Sequence, residues 1–183
     1  TSQELDNVRN NLDGEYIQVC DINLQGYALA PIGNIINPFV GRYDGNSHTI
    51  SNFKYNDATK NYVGLFGALN GVVSKVNLVN ANVTGNNYVG SIVGYISDGG
   101  ISESTASGYV TGNTSVGGFV GRIDTMNNVP SIKYSSANVR VIGNEQVGGF
   151  VGRTMKNSII IQSFALGNTT STTSASLSKM RIG

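Results

Sequence analysis

Side chains able to do acid–base or nucleophilic chemistry are few in this chain. There is one histidine, His48, and one cysteine, Cys20, among 183 residues. His48 with Asp44 and a serine would compose a Ser/His/Asp set. The Gly-x-Ser-x-Gly elbow that holds a nucleophilic serine on a strained turn is absent, however. Ser91 follows Gly90 at a position where two related segments carry Gly118 and Gly149, so it reads as a structural residue. His48, in Ser47-His48-Thr49, is expected to stabilise a turn. Asp21 and Asp44 could become neighbours across adjacent coils of the repeat described below. Hydrogen bonding to turns and caps is their expected use, rather than the paired carboxylates of a glycosidase. The acids Asp57, Asp98, Glu103, Asp124 and Glu145 fall in different columns or loops. No His-x-x-x-His, cysteine pair or EF-hand loop occurs, so no metal and no cofactor is expected. Cys20 closes the stretch Tyr16-Ile17-Gln18-Val19-Cys20 and is expected to be buried as a small hydrophobe.

Binding chemistry is better represented than catalysis. Tyr62, Tyr88, Tyr95, Tyr109 and Tyr134 lie at block edges and in turns, and tyrosine offers amphipathic contact area. A bland alternative has these rings capping coil corners. The segment Asp124–Pro130 is the one place where the repeat described below is interrupted, and insertions of this kind often form binding faces. Surface drift is its bland alternative. The candidate ligand-binding residues are therefore Asp124, Met126, Asn127 and Asn128, with Tyr95, Tyr109 and Tyr134. Ice binding would need a flat ladder of threonines. Thr84, Thr111 and Thr170 fall near one column, but Ile142 interrupts it. Asn82, Asn113 and Asn168 open glycosylation sequons, which turn asparagines explain equally well.

The elements that must position these residues come from a repeat. Four glycine-bounded blocks align, Val63–Gly67, Val89–Gly94, Val116–Gly121 and Val147–Gly152. Their closing glycines at 67, 94, 121 and 152 give intervals of 27, 27 and 31 residues. A second block follows each, with small residues at fixed offsets: Ser104, Ser135 and Ser163, then Ala106, Ala137 and Ala165, then Val110, Val141 and Thr169. Asn77, Val79, Ala81 and Val83 are read into the same columns in the first copy. Alternation with period two means strand, and turns such as Thr84-Gly85-Asn86 separate the strands. A lone unit cannot bury its Val/Ile/Phe face, but stacked units can, with equivalent residues about 4.8 Å apart. The fold class is thus all-β, a right-handed parallel β-solenoid, with an antiparallel sandwich as runner-up. The glycines are expected to supply positive φ at bends.

The first 60 residues differ from the repeats. Thr1 and Glu4 form a possible capping box for a helix to about Asn11, with Leu5, Val8 and Leu12 on one face. Strands are predicted near Tyr16–Leu24, Phe39–Tyr43 and Thr49–Tyr55, with a turn at Asp44-Gly45-Asn46. The helix would cover the open end of the stack. The chain divides into a capping leader with irregular first coils (1–60), four repeats (61–170) and a Ser/Thr-rich tail or the start of a further coil (171–183). It opens without a signal-peptide pattern, which leaves a mature, a cytosolic or an excised chain open. The missing fifth block favours an array continuing in a longer chain.

These blocks resemble the GLUG repeat, whose core is Val-Gly-Gly-Leu-Val-Gly followed by Ile-x-x-Ser-Tyr-Ala-x-Gly-x-Val-x-Gly. Val116–Gly121 and Val147–Gly152 match it with Phe in the Leu place, as do Ile101–Gly112 and Ile160–Gly167 for the second part. Asp21–Leu24, Pro31–Gly33 and Phe39–Ile50 resemble the leader that precedes such repeats. The resemblance implies a bacterial surface or secreted protein: an adhesin of the filamentous haemagglutinin type, or the non-catalytic N-terminal region of an IgA-cleaving metalloprotease. It brings no catalytic residues.

The charge balance, 12 basic against 11 acidic residues, gives no footprint for nucleic acid. No apolar run approaches the roughly 18–20 residues that span a bilayer. The expected function is a non-enzymatic adhesin or rigid spacer and binding module, extracellular or on the bacterial surface. Its expected partner is a host or neighbouring-cell protein or glycan, with no nucleic acid and no direct membrane insertion. The alternative is an accessory domain that positions substrate for a secreted protease.

Overall fold

The structure is a computed structural model that describes residues 1–126, 128–155 and 157–173. These residues form four sheets in which every strand pairs in parallel with its counterpart one coil away. A complete coil visits each sheet once. Gly100–Ser102 lies in a six-stranded sheet, Thr105–Thr111 in an eight-stranded sheet, Thr114–Gly117 in a three-stranded sheet and Val120–Ile123 in a four-stranded sheet. Ser131–Lys133 then begins the next coil beside Gly100–Ser102. The six strands of the first sheet mark six successive coils, so the chain is a parallel β-solenoid and not a sandwich.

The predicted valine column is present. Val63 pairs with Val89, Val89 with Val116, and Val116 with Val147. Inward columns of this kind fill the interior. Tyr43, Val73, Ile101 and Ile132 stack in one, and Ile50, Leu78, Ala106 and Ala137 in another, all buried. Phe119 stacks on Phe150 with ring centres 4.8 Å apart. Each fully buried side chain of this size contributes about 1.5–3 kcal/mol of transfer free energy.

Leu78, not Val79, occupies the alanine column of the first repeat. The register shifts between Ala106 and Gly108, so alignment by sequence alone drifts by one residue across that bulge. Val79 consequently faces out and is 37% exposed.

The glycines act differently from expectation. The repeat-core glycines do not adopt positive φ, and the left-handed corners are taken by other residues. Lys75, Glu103, Tyr134 and Gln162 turn one corner, and Tyr62, Tyr88, Ser115 and Gln146 another, all with φ between 46° and 61°. Proximity is the reason for glycine in the blocks. A Cβ on Gly94, Gly121 or Gly152 would lie 2.4–2.5 Å from the backbone nitrogen of Val63, Val89 or Val116 one coil back.

The N-terminal helix α1, Ser2–Asn7, begins on the predicted capping box, Thr1 Oγ1 accepting from the Glu4 N–H. It tightens into a 3₁₀ turn at Val8–Asn10 instead of continuing to Asn11. Leu5 and Val8 are buried against the first coil, and Leu12 is half-buried. Ser2 donates to the Asn23 carbonyl, and Arg9 to the Ala30 carbonyl, which pins the helix there. The predicted strands shorten to Glu15–Ile17, Ile22–Asn23, Arg42–Asp44, Thr49–Ser51 and Lys54–Asn56.

Cys20 is exposed, contrary to expectation. Alternation along Glu15–Ile17 sends Tyr16 and Gln18 inward, while Ile17 and Val19 face solvent. Gln18 tolerates burial because its amide donates to the Cys20 and Thr49 carbonyls and accepts from the Tyr43 hydroxyl. The Ser/Thr-rich segment 171–183 lies mostly outside the described residues, which end at 173.

Candidate functional site

The candidate residues separate into three places. Tyr95 and Asp124 come together on the outer side of the four-stranded sheet, where that sheet meets the three-stranded one. Tyr95 and Arg122 are register partners on neighbouring strands. Asp124 follows the Arg122 strand directly and is tied back by its N–H to the Ile96 carbonyl. Its carboxylate accepts from Arg122 Nε at 2.9 Å and from the Tyr95 hydroxyl at 3.1 Å. The Arg122 guanidinium lies 5.3 Å from the centre of the Tyr88 ring. Tyr62 stacks beside Tyr88 at 4.9 Å and meets Tyr95 edge-on at 5.7 Å.

This corner satisfies itself. Tyr95 is only 5% exposed, and the Arg122 and Asp124 side chains are 19% and 18% exposed. Burial, then the Asp124 charge, pushes the Tyr95 hydroxyl up to about 12. The Asp124 hydrogen bond raises Arg122 further above its ordinary value. The three tyrosines therefore cap a coil corner, and the ion pair locks the start of the insertion to the stack. Sequence reasoning passed over Arg122, although Val-Gly-Arg recurs at Val151-Gly152-Arg153 and Arg122 pairs with Arg153.

The insertion itself folds back on the preceding coil. Asn128 donates to Asp98 at 2.8 Å, and the Met126 N–H reaches the Ser97 carbonyl. The Met126 side chain is 66% exposed. Asn127 lies outside the described residues. Tyr134 projects from the corner between the six- and eight-stranded sheets, away from these groups by register.

Tyr109 stands on the outer face of the eight-stranded sheet, in a register column with Lys54, Asn82 and Arg140. All four are exposed. The threonine column of the same sheet runs Asn56, Thr84, Thr111, Ile142, Thr170, so two of its five members break the ladder that ice binding would need.

The groups with acid–base potential serve turns. Asp21 accepts from the Thr49 N–H at 2.8 Å and lies 3.3 Å from His48 Nδ1; the first contact mainly, and the second in addition, hold its carboxyl below the ordinary range. Asp44 accepts from the Asn46 N–H within its turn. Ser91 Oγ is buried and donates to the Gly118 carbonyl at 2.5 Å. Among the described residues no group of three His, Cys, Asp or Glu is placed to hold a metal ion.

Stacked parallel coils, a glycine-bounded core block and a helical first-coil cover define this chain as a parallel β-solenoid. Residues 112–142 match the family model described as the GLUG motif. The chain is 43% identical over 90 residues to Halomucin of Haloquadratum walsbyi, an alignment covering 48% of this chain and 1% of that protein. It is 39% identical over 94 residues to a protein of Evansella cellulosilytica named "Putative Gly-rich membrane protein", covering 46% of this chain and 11% of the relative. The chain thus spans only a small part of the curated relatives it matches. Among solved structures it is similar to a "putative immunoglobulin A1 protease" from Bacteroides ovatus, with a TM-score of 0.73 and 22% identity. That superposition covers 93% of this chain and 66% of the other, and it speaks to the fold. No helix among the described residues is long and apolar enough to cross a membrane.

Proposed function

We propose that this chain is a non-catalytic module of a larger surface-exposed or secreted protein, acting as an adhesive or spacer unit. One observation carries this reading: parallel register runs through all six coils, so the backbone groups of each coil bond to the next and the unit is a stiff block. Such a block holds a binding face at fixed geometry. The small fraction of each relative that the alignment covers supports a module within a long chain. The name of the Evansella relative supports a location at the cell envelope.

A second reading, an accessory domain that positions substrate for a secreted protease, is favoured by the likeness to the Bacteroides ovatus protein. One experiment tests the first reading. Beads coated with the purified chain are washed over surfaces of host glycoproteins and of extracellular polysaccharides, and each surface is then analysed by mass spectrometry. The adhesive reading expects bead retention with the surface molecules intact. No retention on any surface would overturn it, and cleavage of the bound molecule would overturn the non-catalytic part.

A further inference from the structure

On the outer face of the eight-stranded sheet, one column of exposed polar side chains makes no side-chain hydrogen bond or ion pair among the described residues. Lys54, Asn82, Tyr109 and Arg140 form one column parallel to the solenoid axis, a residue per coil. Their neighbours in sequence point inward: Phe53, Ala81, Val83, Val110, Val139 and Val141 are all fully buried. Beside this column runs a second. Asn80 donates its side-chain amide to Asn52 at 2.7 Å, and Asn52 to Asn23 at 2.8 Å, with Ser107 and Asn138 continuing the line. Left-handed backbone at Asn52, Asn80 and Gly108 bends the sheet between the two columns.

The bend leaves a groove. One section, of about 610 Å³, is bordered by Tyr27, Asn52, Lys54, Asn82 and Tyr109. A second, of about 410 Å³, is bordered by Tyr109, Asn138, Arg140 and Asn168. Tyr109 belongs to both and joins them. No acidic residue lines either section. Lys54 and Arg140 form no ion pair among the described residues. This contrasts with the tyrosine corner, where Arg122 is neutralised by Asp124.

The chemistry selects among polymers. A peptide strand needs an unpaired sheet edge, but the main chain here is already bonded between coils. A nucleic acid presents a phosphate at every unit and calls for more than two cations. Amides, an exposed phenol ring and cations at wide intervals suit a chain of hydroxyl-rich rings with intermittent negative charge. Successive coils place one outward side chain of this column about every 4.8 Å, comparable to one sugar ring, and Lys54 and Arg140 are three coils apart, about 14 Å.

We propose that this groove binds a linear, carboxylate-bearing polysaccharide laid along the solenoid axis. Tyr109 packs against the face of a sugar ring, Asn82 and Asn138 bond its hydroxyls, and Lys54 and Arg140 pair with uronate carboxylates. This rests on the binding-module reading and names its ligand class.

Affinity electrophoresis of the purified chain in gels containing alginate, hyaluronan, neutral dextran or poly-glutamate tests it. Retardation is expected with at least one of the two uronate polymers and not with dextran, and is expected to weaken as salt rises. Tyr109→Ala, and Lys54→Ala with Arg140→Ala, are each expected to lower that affinity at least tenfold. Arg42→Ala, which removes an exposed cation from the six-stranded sheet, should leave it unchanged. Circular dichroism melting checks that each variant is folded. Unchanged affinity of the groove variants, equal retardation by dextran, failure with both uronate polymers or equal binding of poly-glutamate would each overturn the proposal. If wild-type beads are still retained on another surface in those cases, the groove assignment fails alone. If they are retained on none, the module reading falls with it.

Discussion

Two tyrosine-bearing regions of this molecule use the same residue type in opposite ways. At the meeting of the three- and four-stranded sheets, Tyr62, Tyr88 and Tyr95 pack on one another and on the Arg122–Asp124 pair. On the eight-stranded sheet, Tyr109 stands 54% exposed between Asn82 and Arg140, with no aromatic ring beside it among the described residues. An aromatic at a repeat edge is thus ambiguous until its neighbours one coil away are known. Where the register supplies partners, the ring is part of the scaffold; where it supplies only exposed polar groups, the ring is free to meet a ligand.

The strongest way to break the corner is from beneath. A methyl on Gly121 would sit 2.4 Å from the Val89 nitrogen and 2.5 Å from the Tyr88 carbonyl carbon. Backbone cannot yield as a flexible side chain does, so the coils must part locally. Gly121→Ala is expected to lower stability by about 3 kcal/mol, at the upper end of overpacking effects. Urea unfolding measures it, and a loss below about 1 kcal/mol would mean that the coils are not held this close.

Next in size is the ion pair. Arg122 and Asp124 are both largely buried, so removing one strands the other. Each single alanine variant is expected to cost about 2 kcal/mol, with a coupling of about 1 kcal/mol or more in the double-mutant cycle. Additive losses would reduce this contact to an incidental one.

These cases also show what was legible in the sequence. The coil period, the valine column and the capping box were legible, because each rests on residue type at fixed spacing: Val63, Val89, Val116 and Val147, or Thr1 with Glu4. Features that depend on contacts one coil away were not. The bulge that places Leu78 rather than Val79 in the alanine column leaves no mark in one copy. Buried Gln18 and exposed Cys20 invert the usual preference, since two of the three hydrogen bonds that satisfy the Gln18 amide involve Thr49 and Tyr43 in the next coil. The left-handed turns at Tyr62, Tyr88 and Tyr134 occur at residues that rarely adopt them. The outer column of Lys54, Asn82, Tyr109 and Arg140 shows no shared residue type, and only register makes it a line.

A smaller effect separates the regions by pH. The folded state raises the Tyr95 hydroxyl to about 12 through burial and the nearby Asp124 carboxylate. A raised value means that the folded state holds this proton more tightly than the unfolded chain. The resulting stability is complete below the ordinary tyrosine value of about 10 and is lost as pH climbs towards 12. Melting temperature should therefore fall across that window, and Tyr95→Phe should make the fall shallower. Buried Tyr43, also raised by burial, keeps some slope in the variant. An identical slope in Tyr95→Phe would mean that the corner is open to solvent.

The smallest expected change is at Tyr109, and it sharpens the comparison most. Its side chain faces outward from a strand whose inward residues, Ala106 and Val110, carry the packing. It donates no hydrogen bond and stacks on no ring among the described residues. Tyr109→Ala should therefore shift stability by no more than about 0.5 kcal/mol, the range of surface substitutions away from special features. The corner variants are expected to cost several times that. Urea midpoints measured side by side decide the matter. If Tyr109→Ala cost as much as Arg122→Ala, its ring would belong to the scaffold after all. A neutral change there, coupled to lost retardation in uronate gels, is what a side chain reserved for a ligand would give.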